Sequence, residues 1–186
     1  MTIDQNIQIS KARVFDEVAK KTAYIGKKAT SEQDPGAYER VAVVDANREQ
    51  LDTFWMEACS GASQVLDHWL SSQTSQVLSH HPEIDTSHDY KVTLSLPSNW
   101  SFAYLSTLQE VLMSYLVNSI VAAWLLITLP TQAAAYATLA DGAEKQLQQL
   151  MLIRKRPVKR SSNSSGDGPA WVRSNAWIRS EAWIID

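Results

Sequence analysis

No charged residue lies between Glu110 and Asp141, and within that stretch residues 111–129, VLMSYLVNSIVAAWLLITL, form a 19-residue apolar run. Leu105, Leu108, Leu112, Tyr115, Leu116, Ser119, Ile120, Ala123, Trp124 and Ile127 recur at helical spacing, so the run is predicted to be a helix. The side opposite that stripe is apolar as well, with Val111, Val117, Val121, Leu125 and Leu126. A helix that is apolar all round is buried all round, in protein or in lipid. Length alone permits a membrane span, with the basic residues after 153 as its flank. Ser114, Asn118 and Ser119 oppose that reading, because polar groups near the middle of a span raise the cost of insertion. The expectation is therefore a central helix buried in a bundle and at subunit interfaces. Val111, Tyr115, Val117, Val121, Trp124 and Leu125 are its interface residues, no membrane is expected, and a single-span anchor at 111–129 is the alternative.

Elements able to cover such a helix are present on both sides of it. Residues 11–28 place Val14, Phe15, Val18, Ala19, Thr22 and Ile25 on one helical face, ending near Gly26. Asp34-Pro35-Gly36 signals a turn, and Asp45 is the expected N-cap of a long helix over 46–79 in part. Leu51, Phe54, Trp55, Ala58, Ala62, Val65, Leu66, Trp69 and Leu70 form its stripe, and His80-His81-Pro82 ends it. Tyr90, Val92, Leu94 and Leu96 alternate with Lys91, Thr93 and Ser95, which predicts a half-buried strand. A lone strand leaves backbone groups unpaired, so residues 41–44 or a neighbouring subunit must supply a partner. Ser98 or Ser101 is expected to cap the apolar helix, Pro130 to stop it, and Thr131 to cap the next helix. In that last helix Ala133 to Ala137 permit close approach, and Leu139, Ala143, Leu147, Leu150 and Met151 make the contact face up to Arg154, Lys155 and Arg156. The fold class is thus mainly α, a bundle of about four helices with one or two short strands and an extended C-terminal arm.

Charge is unevenly divided. Of 17 Lys/Arg and 20 Asp/Glu, seven and three fall in residues 154–186, which carry +4; the remaining ten and seventeen give residues 1–153 a charge of −7. An acidic body and a basic tail suit different surfaces. Arg154, Lys155, Arg156, Lys159 and Arg160 are candidates for DNA phosphates or an acidic protein surface, without the motif that sequence-specific reading requires. The single cysteine, Cys59, excludes an internal disulfide and sits where a small buried hydrophobe is expected. The first residues lack the pattern of a secretory signal, so synthesis in a cytoplasm is the default expectation.

Enzymatic motifs are missing. No glycine-rich phosphate loop, HExxH, GxSxG or CxxC occurs, and the loop HHPEIDTSH, with His80, His81, Glu83, Asp85 and His88, lacks a second set of ligands. No catalytic residue, metal or cofactor is expected. The chain reads as a body over 1–157, a linker over 158–169 and an arm over 170–186.

That arm repeats Ala-Trp every six residues, at Trp171, Trp177 and Trp183. On a helix the three indoles would point about 120° apart. On a strand an even period aligns them, with Arg173 and Arg179, on one face, leaving Val172, Ile178 and Ile184 on the other. Trp171, Arg173, Trp177, Ile178, Arg179, Trp183 and Ile184 are therefore expected to bind a partner by adding to a sheet edge or filling pockets. Packing of the tail on its own body is the other possibility.

The order of elements, carried by DANREQLDTFWMEACSGASQVLDHWL, DYKVTLSLP and the helix pair over 101–156, resembles the head-to-tail connector (adaptor) proteins of tailed bacteriophages. About two thirds of the chain shares this layout, without a diagnostic motif. The resemblance implies a non-enzymatic virion protein of the neck, made in the host cytoplasm. It implies a homo-oligomeric ring between portal and tail proteins, around a channel that DNA traverses. The Ala-Trp repeat is outside the family pattern.

Overall fold

A computed structural model of the chain describes residues 2–31, 34–71 and 89–155. The chain divides into two compact units, residues 1–155 and 156–186, and the described fold belongs to the first. Its elements are β1 (Thr2–Ile9), α1 (Lys11–Ala29), α2 (Ala37–Val41), α3 (Arg48–Leu66), β2 (Tyr90–Pro97), α4 (Leu105–Thr128) and α5 (Pro130–Leu152). Mainly helical architecture with a small antiparallel sheet is what the periodicities predicted.

α4 is the element that the others enclose. Leu108, Leu112, Leu116, Ile120, Val121 and Leu125 are fully buried, against α5 most extensively and against α3 and α1 on other sides. Its polar residue Asn118 is buried too, and its amide is used at both ends: Oδ1 accepts from Lys21 Nζ at 2.7 Å, and Nδ2 donates to Ser114 Oγ at 3.2 Å. Burial lowers the Lys21 pKa. A buried amide that is paired inside its own chain is inexpensive; unpaired it would cost several kcal/mol, about 2–7 by transfer measurements.

α4 and α5 meet at a one-residue corner. Leu129 breaks the ladder (φ −151°, ψ 73°), and Pro130 starts α5 at its first position, where a missing N–H costs nothing. Thr131 therefore lies inside α5 and is not its cap. Along α5, Ala133, Ala140, Ala143, Leu147 and Met151 are buried. Leu139, expected on this face, is 53% exposed, and Ala134, Ala135 and Ala137 face solvent.

Several predicted boundaries shift, two through local 3-10 turns and two because a distant partner takes the backbone. α3 is entered through a 3-10 turn, Asp45–Asn47, so Asn47 and not Asp45 occupies the cap position. α3 ends at Leu66, passes through the 3-10 turn Asp67–Trp69, and becomes extended at Leu70, which bridges to Leu94. Residues 72–88, with the rest of the expected helix and its His80-His81-Pro82 stop, lie outside the described residues. Ser101 opens a 3-10 turn, Phe102–Tyr104, without a side-chain cap, and α4 begins only at Leu105. α5 stops at Leu152 because Arg154 bridges to Trp100 and Lys155 N donates to Asn99 O at 2.7 Å. Trp100, fully buried, fixes this junction by donating Nε1–H to Leu150 O at 3.0 Å.

The strand predicted over 89–96 is β2, with the predicted alternation of burial. Its partner is β1, antiparallel, with Ile3, Gln5, Ile7 and Ile9 opposite Leu96, Leu94, Val92 and Tyr90. Residues 41–44 do not serve: Val41 ends α2, and its carbonyl accepts the Trp124 Nε1–H at 2.7 Å.

α1 runs past the expected stop at Gly26, which has a different role there. A Cβ at Gly26 would lie 3.1 Å from Tyr38 Cα and 3.3 Å from Val41 Cβ, whereas one at Gly142 in α5 would meet nothing within 4 Å. We therefore expect Gly142→Ala to raise stability in urea denaturation by about 0.5–1 kcal/mol through helix propensity. Gly26→Ala should lower it by about 1 kcal/mol or more, because α2 backbone must move. Equal effects at the two sites would contradict this packing.

Candidate docking surfaces

Of the predicted contact residues, the arm (Trp171, Arg173, Trp177, Ile178, Arg179, Trp183 and Ile184) and the basic residues Arg156, Lys159 and Arg160 lie outside the described residues. Arg154 and Lys155 are described, and both are engaged. Arg154 Nη1 donates to Met151 O at 2.8 Å and Ile153 O at 3.2 Å, neutralising carbonyls at the end of α5. Lys155 Nζ sits 5.2 Å from the centre of the Phe102 ring.

The predicted interface helix is largely used up inside its own subunit. Val117, Val121, Trp124 and Leu125 are each at most 3% exposed, so these four cannot form a surface for a neighbour. Val111 and Tyr115 remain half-buried. The apolar surface that α4 does offer is Leu126 and Ile127, 66% and 59% exposed, next to its turn into α5.

The sheet offers another surface. On the far side of β2, Leu70 bridges to Leu94 and Ser71 N donates to Thr93 O at 2.9 Å, so that edge is covered in part. On the far side of β1, no described segment pairs with the backbone of Thr2–Ile9. The core-facing row of β1 is also incompletely covered: Ile7 and Ile9 are buried, but Ile3 is 40% exposed and Gln5 half-buried. Edge strands in water are commonly protected by lysine, proline or a bulge. β1 contains neither Lys nor Pro and pairs without a break from Thr2 to Ile9. Its alternating Ile3, Gln5, Ile7 and Ile9 were the available sequence signal, diluted by the polar run Asp4-Gln5-Asn6.

A groove of about 580 Å³ runs between α3, α4 and α5, bordered by Gly61, Val65, Trp69, Tyr115, Glu144 and Leu152. Burial, and then the negative charge of Glu144, raise the Tyr115 pKa. The groove presents the Tyr115 phenol, the Glu144 carboxylate, the His68 imidazole and the amides of Gln64 and Gln148 among apolar side chains. Cys59 in α3 is buried as expected, and burial pushes its thiol up to about 12, so it is not a thiolate near neutrality. His68 stands at an exposed helix edge against Trp69. Among the described residues no three His, Cys, Asp or Glu side chains converge as a metal site; the HHPEIDTSH loop lies outside them.

Comparison of the chain with known protein families, with curated proteins and with solved structures finds no match.

Asp89 fastens β1 to the body. Oδ1 accepts from Lys11 N at 3.0 Å, supplying the N-terminal cap that Ser10 does not, and Oδ2 accepts from Gln8 Nε2 at 2.8 Å. The Gln8 bond first, then the Lys11 amide, hold its pKa below the ordinary carboxylate value. Its contribution is complete above the unfolded carboxylate pKa of about 3.9 and is lost as pH falls through the lower folded value. Amide exchange at Gln8–Lys11 should therefore accelerate below about pH 4 in the parent and already at pH 7 in Asp89→Ala. Indistinguishable exchange in the two proteins at pH 7 would refute the clamp.

Proposed function

We propose that the chain is a non-enzymatic structural subunit of a tailed-phage neck, a connector that assembles as a ring between portal and tail proteins. Residues 170–186 serve as an arm that docks on a neighbouring subunit or ring. The observation that carries this reading is that the described residues of the body form a buried core and a compact unit that ends before the arm. Among the described residues the buried core is assembled from residues between Ile7 and Met151, and the unit boundary falls after Lys155. The Ala-Trp repeat follows that boundary, and three indoles are a large apolar surface for an arm to bring to a partner. The exposed pair Leu126 and Ile127 and the open edge of β1 supply surfaces for lateral contact between subunits. Contacts of this head-to-tail kind close into rings when the rotation per subunit permits. The basic run 154–160 suits DNA in the channel or an acidic neighbour, and either makes assembly or DNA retention salt-sensitive.

The competing class is a membrane-anchored protein. Residues 102–128 are long and apolar enough to cross a bilayer. Burial of Val117, Val121 and Leu125 within the bundle, and the Lys21–Asn118 contact, favour the aqueous reading, since lipid would have to replace both.

The full chain, expressed without detergent, should sediment as a closed oligomer and appear as rings in particle images. Removal of residues 170–186 should leave helical circular dichroism unchanged and weaken docking. A chain that stays monomeric at every concentration, or that loses its helicity with the arm, would overturn the proposal.

A further inference from the structure

Among the described residues one edge of a two-stranded sheet is open, and the sequence supplies a segment with strand periodicity outside them. We infer that the free edge of β1 is the receptor for the arm, residues 170–186, of a neighbouring copy, which adds to the sheet as a third strand. The inference rests on the oligomeric reading above and names the surface that receives the arm.

Four observations converge on it. Along the outer edge of the eight-residue β1, alternate residues turn N–H and C=O outward, and these groups have no partner among the described residues. Those groups can be satisfied by any extended chain, and main-chain pairing is how sheet edges capture peptides. Secondly, an eight-residue strand is about 27 Å long, while six residues of extended arm separate successive tryptophans by about 20 Å, so one edge accommodates two tryptophans.

Thirdly, the uncovered apolar side chain of the sheet is at this edge: Ile3 is 40% exposed on the core-facing row. Either face of the arm covers it, because the odd positions carry Trp171, Trp177 and Trp183 and the even ones Val172, Ile178 and Ile184. Finally, residues 156–169 number fourteen and reach at most about 50 Å when extended. A body of this size has a radius of gyration of about 15 Å, so that reach spans a neighbour. A two-stranded ribbon is marginal in water, and a third strand contributed in trans couples the sheet's stability to assembly.

Disulfide trapping tests this in the full-length chain. The only native cysteine, Cys59, is 1% exposed and gives no background. One preparation carries Ile3→Cys. Others each carry a single cysteine at Ser174, Asn175, Ser180 or Glu181, positions that spare every tryptophan. Mixing two singly substituted chains permits only intermolecular bonds. The expected result is cross-linking roughly a hundredfold faster than to a Leu139→Cys control on exposed α5, the advantage of a held neighbour over free collision. It should follow one parity of arm positions, even or odd, because only one face of an added strand lies beside Ile3. Assembled rings without this excess, or with equal reaction at both parities, overturn the inference and leave the ring reading standing. Fast cross-linking confined to one doubly substituted chain at high dilution overturns it in favour of docking in cis. A chain monomeric throughout overturns both.

Discussion

Beyond Ser114, helix α4 has no polar side to give to water, and this constraint orders the rest of the body. Leu108, Leu112 and Leu116 look one way and Val117, Val121 and Leu125 another, so no single neighbour can cover it. α5 folds back through the Leu129-Pro130 corner, α3 and α1 close the other sides, and the sheet packs over the remainder. Asn118 is the one buried polar residue of α4, and Lys21 from α1 meets it. Because burying each large aliphatic side chain contributes about 1.5–3 kcal/mol, loss of any one covering helix would exceed what a marginally stable domain can spare. The same constraint explains why most residues expected at a subunit interface are unavailable to one: they are spent on holding the subunit together.

Once the helices are committed to α4, the sheet is left narrow, with one edge covered in part and the other open among the described residues. Asp89, at the head of β2, caps α1 and holds Gln8, so β1 is fastened at the Ile9 end. At the other end Thr2 faces Pro97, close in sequence to Asn99, whose carbonyl receives the Lys155 amide. Trp100 and Phe102 gather around the last described residues of the chain, with Trp100 buried and Phe102 beneath the Lys155 ammonium. Tertiary contacts thus anchor the final described residues of the body.

Local patterns carried most of the fold. Val14, Val18, Thr22 and Ile25 are buried at helical spacing, as are Leu51, Trp55, Ala58, Ala62 and Leu66, and β2 alternates as predicted. What local pattern could not carry was pairing over long sequence separations. β1 joins a partner more than eighty residues away, and its polar first half, Asp4-Gln5-Asn6, hides the alternation of Ile3, Ile7 and Ile9. Helix ends failed for the same reason. Leu70 leaves helical geometry to bridge Leu94, and Arg154 does so to bridge Trp100, so neither end is marked by its neighbours in sequence. For the docking surfaces, the sequence showed which segment has the period of a strand but could not show which edge stays unpaired, because that depends on where every other strand goes.

The central claim is that α4 is enclosed by its own chain in water. Hydrogen exchange of the full chain in detergent-free buffer tests it directly. Amides of residues 112–125 should be the most protected in the molecule, exchanging only through global unfolding with free energies within the 5–15 kcal/mol typical of a folded domain. Fast exchange across that stretch, or a chain that stays in solution only when detergent or lipid is supplied, would contradict the account.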